Sequence, residues 1–585
     1  MKSTVSGQKG KTMADGIFYV CAAIIAIAAI IISRKIKANQ KRKKLEQKLT
    51  SQWGRIPADD YRDTDMKAIS GFFRELIHNG AGTFFIDDIT WNDLDMDRVF
   101  RRINNTQSTV GEEILYSMLR RPAFDERELK ERDRLIEYFR KNPAERLELQ
   151  KILAGLGKRR NTQVYGYFFG EPVTFRYRRY ILQAVALLLS PLLMIADVTA
   201  GFVAVVGLFV FNMTVYYKSR REYEIYLDSL GYMADMVRCS RKIAAAGIPG
   251  IKEYAGRLED LSGRMRSFSI NSFYQLFYQT GDYTFLEPLK SMFLLELIAF
   301  GRLLETIYEH RQALRGIYET VGFLDSMISA ASYRESLDFW TVPELNACGG
   351  AGPVSLSFRD ACHPLIENAV PNSLDTVRPV LITGSNASGK STFLKTTAIN
   401  AILAQTIYTC VAREYRSCYF RVFTSMALKD DLEGNTSYYV AEINSLKRIM
   451  DNLDGQVPVL SVIDEVLRGT NTIERIAAST EILRHFAGGN CILIAATHDI
   501  ELAEILKNLY DNYHFTERYE GDEIKFEYKL LPGKSRTHNA IKLLSVMGYP
   551  DHIVKNAEDR AEKFLEEGRW HALQARQGKV RVMQK

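Results

Sequence analysis

Residues 379–393 read PVLITGSNASGKSTF: an apolar run, a glycine-bounded loop, and the start of a helix-like stretch, TFLKTTAINAILAQ at 392–405. Within it Gly384, Ser385, Asn386, Ala387, Ser388, Gly389, Lys390 and Ser391 fit the pattern GxxxxGK[ST]. A strand before the loop and a helix after it are the context this pattern requires. The glycines let backbone N–H groups close round phosphates, and the helix N-terminus adds its dipole. Lys390 then reaches the terminal phosphates and Ser391 holds Mg2+, with Thr392 next in the same nucleotide-binding set. Eight residues can match by accident, so a second element is needed.

It arrives at 458–465, PVLSVIDE, where apolar residues run into Asp-Glu. This is a buried strand that delivers two carboxylates at its C-terminal edge. Asp464 is placed to steady Mg2+ and Glu465 to polarise the attacking water. The bland alternative, an exposed acidic strand end, leaves the upstream loop unexplained. Residues 491–498, CILIAATH, give another buried strand, ending on a histidine placed to sense the γ-phosphate. Together these elements predict ATP hydrolysis with Glu465 and His498 as catalytic residues, Ser391 and Asp464 at the metal, and ATP and Mg2+ as cofactors.

Composition bounds the rest. The 585 residues have room for three or four domains. The hydrophobic content of 46% and charged content of 25% are ordinary for a globular chain. The net charge of +7 does not argue for nucleic acid, but its distribution is uneven. Arg34, Lys35, Lys37, Lys41, Arg42, Lys43 and Lys44 cluster, and Arg569, Arg576, Lys579, Arg581 and Lys585 end the chain without an acid. Such runs suit anionic lipid or phosphate. The seven cysteines are scattered with no CxxC spacing, which argues against a disulfide framework and fits a reducing compartment. No histidine cluster has metal-ligand spacing, so no zinc is expected.

Two apolar stretches predict membrane segments. Residues 17–33, IFYVCAAIIAIAAIIIS, carry no charge, and RKIKANQKRKK follows at once rather than a signal-peptide cleavage site. Residues 180–217 carry only Asp197, and thirty-eight residues suit two spans turning near that aspartate. Arg176, Arg178 and Arg179 before, and Lys218, Arg220 and Arg221 after, put both ends of the hairpin in the cytoplasm. The alternative is a buried helical pair in a soluble core. A multi-pass plasma-membrane protein with a cytoplasmic ATPase domain is the expectation.

Several motifs, in order, resemble the MutS mismatch-repair family. ACHPLIENAVPN, the loop above, KDDLEGNTSYYVAEI, SVIDEVLRGTNT and AATHDIEL look like its ATPase domain. Residues 95–139 resemble the start of its helical core and lever, and GFLDSMISAASYRESLDFW at 322–340 resembles the lever's last helix. The resemblance implies paired ATPase domains, hence a homodimer, each site completed in trans by Asn435, Thr436 and Ser437 of the loop that begins at Gly434. It implies DNA binding too. It places Arg468–Thr472 at the dimer contact, and adenine near Val370 and Tyr528. Departures are visible: Ser385, Ala387 and Ser388 alter the family's usual loop, Ala369 stands where an aromatic is usual, Leu467 replaces a glycine, and THNAI near 540 replaces SYG. Gly71-Phe72-Phe73-Arg74-Glu75 fits the family's wedge motif G-x-F-x-E, but DMKAISGFFRELIHNG reads as an amphipathic helix with Phe73 in a core.

The expected fold class is an α/β P-loop (ABC-type) ATPase domain at the C-terminus joined to an all-α lever/core domain, with three transmembrane helices. Expected boundaries are an extracytoplasmic N-terminus 1–16, a first span 17–33, a basic linker 34–90, core and lever 91–179, the hairpin 180–217, a second lever part 218–345, the ATPase domain 346–550 and a helix with basic tail 551–585. The expected function is a membrane-anchored, dimeric MutS-like ATPase coupled to DNA, as in mismatch repair. The alternatives are a membrane mechanochemical or scaffolding ATPase with no DNA role, and an assembly protein that scarcely hydrolyses ATP.

Overall fold

The computed structural model describes residues 32–33, 35–58, 61–80, 84–159, 162–170, 175–265, 287–347, 353–385, 388–426, 438–468, 470–520, 523–534 and 540–572. The chain forms two units. The first takes Met1–Phe85, Asp97–Asp338 and Thr406–Tyr408; the second takes Ile86–Met96, Phe339–Gln405 and Thr409–Lys585.

The first unit is helical and built round the helix Arg311–Glu335, most of whose residues are buried. Its small residues permit close packing. A Cβ on Gly322 would lie 2.6 Å from the Val110 carbonyl oxygen, inside contact distance of the helix Thr109–Arg120. The fully buried Asp325 accepts from the Ser108 hydroxyl at 2.6 Å and from the Ser108 and Gln107 N–H groups at 2.9 and 3.0 Å. It thereby satisfies N–H groups ahead of the helix, which its N-cap Ser108 begins. Gly111 faces this carboxylate so closely that an added Cβ would sit 2.3 Å from its oxygen. Beside it, Glu113 accepts a short hydrogen bond from Tyr318, and burial pushes its carboxyl up to about 8. Buried Arg334 pairs with Asp133 at 2.6 Å and donates to the Tyr408 carbonyl at 2.7 Å.

The stretch expected as one amphipathic helix is two, Asp63–Ile69 and Gly71–His78, meeting at Ser70. Met66, Ile69, Phe72, Phe73 and Leu76 are all buried, and Phe73 packs edge-on against Tyr116.

The apolar region after Arg176 forms a hairpin. A helix Arg178–Leu189 passes through a 3-10 turn, Ser190–Ile195, into one 48-residue helix, Val198–Ala245. Asp197 caps that helix, accepting from Thr199 and Ala200 N–H at 2.8 and 3.1 Å. Gly201 lets the two arms meet, since a Cβ there would fall 2.5 Å from the Met194 backbone nitrogen. The outward residues are bare: Leu182 is 71% exposed, Ile195 85% and Phe202 60%. Only 17% and 11% of the two apolar windows, Arg178–Ile195 and Val198–Ser219, is buried, so this is not a helical pair enclosed in a core.

The count of spans is corrected here. Among the described residues two helices, not three, are long and apolar enough to cross a membrane. The expected span at 17–33 lies outside the described residues except for Ile32 and Ser33, which are exposed. Length and composition alone carried it, and seventeen residues rise only about 25 Å as a helix, short of a ~30 Å hydrocarbon core. The fold class is therefore a mostly helical unit plus a mixed α/β unit, in place of an ABC-type P-loop domain with a three-span partner.

The second unit holds two sheets. In the larger, the strands β4 (Val380–Thr383), β6 (Arg421–Ser425), β7 (Val459–Asp464), β8 (Cys491–Thr497), β9 (Asp511–Glu520) and β10 (Glu523–Pro532) lie in the order β10-β9-β4-β8-β7-β6. All pairings are parallel except β9 with β10. Every residue of β4, β7 and β8 is buried, which is why these strands read as unbroken apolar runs. The edge strand β6 is covered by the helix Asp88–Asp93. Asp93 accepts from the Thr424 hydroxyl at 2.7 Å and Met426 N–H at 3.0 Å, and Asp87 pairs with Arg448 at 2.5 Å. The smaller sheet contains β1 (Glu344–Asn346), β2 (Leu356–Ala361), β3 (Asn372–Thr376) and β5 (Glu414–Cys418) in the order β1-β5-β2-β3. Cys418 is disulfide-bonded, and Cys239, Cys362, Cys410 and Cys491 are buried.

Two expectations follow. Gly111→Ala drives a methyl group into the Asp325 carboxylate and should lower the thermal unfolding midpoint by several degrees, a cost on the order of 1–3 kcal/mol. Burial raises the folded Glu113 carboxyl from 4.5 to about 8, so its share of stability is complete below about pH 4.5 and is lost progressively as pH rises to about 8. Glu113→Gln should therefore lose less stability than wild type between about pH 4.5 and 8, read by thermal melts across that range.

Candidate nucleotide site

Strand register assembles the site. Parallel pairing sets Thr383 beside Thr497 and Asp464 beside Ala496, so β4, β7 and β8 end together. The loop after β4, the two carboxylates after β7 and His498 after β8 therefore converge at one sheet edge, where ligands of parallel α/β sheets bind. The helix that follows the loop is Lys390–Thr406. Gly384 and Gly389 take φ of +147° and +107°, conformations that only glycine adopts at low cost.

A cavity of about 910 Å³ opens here, lined among others by Ala369, Val370, Ser385, Gly389, Lys390, Ser391, Thr392, Asp464, Glu465 and Tyr528. The Lys390 ammonium donates to the Gly384 and Ser385 carbonyls at 2.8 Å each and lies 3.4 Å from His498 Nε2. Burial lowers its pKa, partly countered by the charges of Asp464, Glu465 and Glu517. The Ser391 hydroxyl donates to Asp464 Oδ2 at 2.5 Å. Ser388 Oγ is buried without a partner among the described residues, an unspent polar group inside the loop. A hydroxyl on a carboxylate beside a desolvated ammonium fits a divalent cation with a polyphosphate. Ser391 and Asp464 are the residues to hold the cation.

Glu465 is enclosed. His498 Nε2 lies 2.8 Å from its Oε1, and Arg468 Nε lies 2.7 Å from its Oε2. Burial alone would raise its pKa, but the His498 hydrogen bond and the charges of Arg468, His498 and Lys390 together hold it below the usual carboxylate range. It is thus ionised at neutral pH and able to accept a proton. Glu465 and Leu467 have φ of +64° and +59°, so the turn is left-handed at both positions. This explains why Leu467 stands out in sequence: a glycine would adopt that backbone at less cost. Buried Glu442 accepts the Arg468 N–H at 3.1 Å and steadies the turn.

On the base side, Asn372 joins β3 to β10, donating to the Tyr528 carbonyl at 2.9 Å and accepting Leu530 N–H at 2.8 Å. Tyr528 has φ +52° and is 43% exposed, its ring stacked on Phe526 at 5.9 Å. Its ring also lies close to the loop, since a Cβ on Gly389 would be 3.1 Å from Tyr528 Cδ1. Val370 and Ala369 line the same cavity.

The structure thus brings together Gly384, Ser385, Ser388, Gly389, Lys390, Ser391, Thr392, Asp464, Glu465, His498, Val370 and Tyr528. Asn386, Ala387, Asn435, Thr436 and Ser437 lie outside the described residues. Sequence reasoning missed three partners. Arg468 was assigned only to a dimer contact, although its i+3 spacing from Glu465 was a signal. Glu442, on the helix Tyr438–Met450, and Glu517, which accepts from the Ser385 hydroxyl at 3.0 Å, carried no local signal because only tertiary packing delivers them.

Comparison with known proteins finds relatives for this part of the chain. Residues 380–565 match MutS domain V. The DNA mismatch repair protein MutS of Natronomonas pharaonis is 30% identical over 284 residues, 46% of this chain and 31% of that protein. MutS protein homolog 4 of Mus musculus is 31% identical over 295 residues, 47% and 29% of the two chains. The MutS of Thermotoga maritima is 26% identical over 279 residues, covering 46% and 34%. The likeness to MutS proteins thus lies in the C-terminal half of the chain, where the MutS domain V match falls. The match spans about a third of the length of these relatives.

If Tyr528 stacks on a base, Tyr528→Ala removes about 1–3 kcal/mol, the usual worth of aromatic stacking. Binding of a fluorescent ATP analogue should weaken about fivefold or more, while inorganic triphosphate binds as before.

Proposed function

We propose that the chain binds ATP with Mg2+ at this site and hydrolyses it, working as a pair. The observation that carries the reading is the Ser391–Asp464 contact, set beside Lys390 and an ionised Glu465 on one cavity. The bound cation would neutralise charge on the phosphates. Lys390 would leave the loop carbonyls for the terminal phosphates, and Glu465 would take the proton of the attacking water. His498 orients Glu465 by its hydrogen bond. Arg468 occupies the other carboxylate oxygen, so it must swing aside before water can be activated there. The trans contribution of Asn435, Thr436 and Ser437 belongs to the same proposal and rests on the family resemblance.

The two exposed apolar helices support attachment to a membrane, with Arg176, Arg178, Arg179 and Lys218 at the headgroup level and Asp197 at the far interface. Both ends of the hairpin then face the same compartment as the ATPase unit, the cytoplasm. The names of the relatives support duplex DNA, mismatched or not, as the ligand whose binding the ATP cycle governs. The exposed hairpin favours a second reading, a membrane mechanochemical ATPase without a DNA role.

Lys390→Ala should abolish ATP binding in equilibrium titrations. Glu465→Gln should bind ATP normally, lose turnover by at least about a hundredfold and accumulate as an ATP-bound pair in sizing experiments. Equal turnover in wild type and Glu465→Gln would remove Glu465 from the mechanism. The two readings separate in nanodiscs. A DNA-coupled enzyme binds duplex with a steep salt dependence from counterion release, whereas the second reading predicts normal ATPase activity and no binding to homoduplex or mismatched DNA at low salt.

A further inference from the structure

The hairpin has a third companion that its sequence does not announce. Between the short helix Glu287–Met292 and the helix Leu295–Glu309 the chain turns a corner at Leu294, whose φ is +53°. That corner is pinned to the long helix. The Asn212 amide donates to the Met292 carbonyl at 3.0 Å, Tyr216 shares a short hydrogen bond with Glu296, and Leu294 and Leu297 are buried with Tyr180 and Tyr216. Leu295–Glu309 then runs back toward the basic end, where Glu305 accepts from Tyr177 at 2.8 Å.

Helical rise converts these contacts into depth. The two arms are level at their basic ends, where the Tyr180 and Ser219 hydroxyls lie 3.2 Å apart. Asn212 is then about 10 Å along the long helix from Ser219, Phe209 about 15 Å and Val205 about 21 Å. In a membrane with headgroups at the basic ends, the Met292–Phe293 corner stands well inside the hydrocarbon. There it closes an apolar groove of about 250 Å³ whose walls include Leu187, Val205, Val206, Phe209, Met292 and Phe293. Groove and outer face form one continuous apolar surface, since Leu188, beside Leu187, is 64% exposed. Exposed Arg178 and Lys218 stand at the headgroup end of the same two arms.

We propose that this groove is a lipid site: one acyl chain of an anionic phospholipid lies in it, with the phosphate held by Arg178, Arg179 and Lys218. The chemistry is specific at both ends. An apolar cavity without polar partners stays dry and accepts hydrocarbon, and a cationic rim at the interface selects negative headgroups. The corner Ser291–Leu294 makes the groove, so the helical unit itself, and not only its hairpin, meets the bilayer core. This rests on the membrane reading of the hairpin.

The test uses the full chain in phosphatidylcholine nanodiscs doped with phosphatidylglycerol bearing a photoactivatable diazirine midway along one acyl chain. Labelling should concentrate on Met292, Phe293 and Val206 rather than on the exposed Leu192 and Leu193. Val206→Trp, which fills the groove, should reduce it several-fold while Leu193→Trp does not. The double variant Arg178→Glu, Arg179→Glu should reduce it too, and a phosphatidylcholine probe should label weakly from the start. Label spread evenly over outward residues, or equal labelling by the two lipids, overturns the proposal. The wild-type label map decides the matter even if a variant fails to fold. Carbonate extraction separates the two levels: a chain washed off membranes refutes the membrane reading, whereas a retained chain without label at Met292–Phe293 refutes the lipid site alone.

Discussion

Charge held in a nearly dry place governs the α/β unit. Lys390 is 5% exposed and Asp464 9%, and both stand at the margin of strands with no exposed residue. An isolated charge there would cost several kcal/mol. Burial lowers the Lys390 pKa and the charges of Asp464, Glu465 and Glu517 counter it, a set that can form only if β4, β7 and β8 end in register. The same sheet therefore serves stability and chemistry. Its apolar strands supply burial, and their aligned ends supply a place where opposite charges must cluster. A polyphosphate with its cation would enter a field already arranged for it.

The helical unit solves a different problem with similar means. Its central helix is buried on nearly all sides, so polar groups along it need partners drawn from distant chain. Asp325 finds them in the N–H groups near Ser108, and Arg334 in Asp133 and the Tyr408 carbonyl. Glu113 remains neutral instead, bonded to Tyr318. The long helix leaves this packed region and becomes bare beyond Ser219, where leucine, valine and phenylalanine face outward. One continuous helix of 48 residues, about 72 Å, joins the two environments without a hinge.

The nucleotide loop, the acidic strand and the histidine strand were legible because each is a contiguous motif with its own period and end residues. Val370 and Tyr528 were reached only through family resemblance, since their placement depends on Asn372 tying β3 to β10. Residues 86–90 read as the end of a linker and 91–96 as the start of the helical core, yet the helix there covers the edge of β6. Its aspartates look like ordinary surface residues until Thr424 and Arg448 are brought to them. The corner at Met292–Leu294 was equally hidden: eight apolar residues interrupted by Glu296 look like core, and the partner of Glu296 is Tyr216, eighty residues earlier.

By itself, then, the sequence determined what local pattern can encode: a glycine-bounded loop between strand and helix, two carboxylates at a strand end, and an apolar hairpin turning near Asp197. The tertiary structure decided what depends on distance through space. It placed Arg468 on Glu465, gave Leu467 a left-handed backbone, set Glu517 on Ser385, and reduced the spans among the described residues to two. The physical reason is common to all of these. Desolvation and close packing act between groups that folding brings together, and their strength depends on exposure and separation, which no spacing along the chain records.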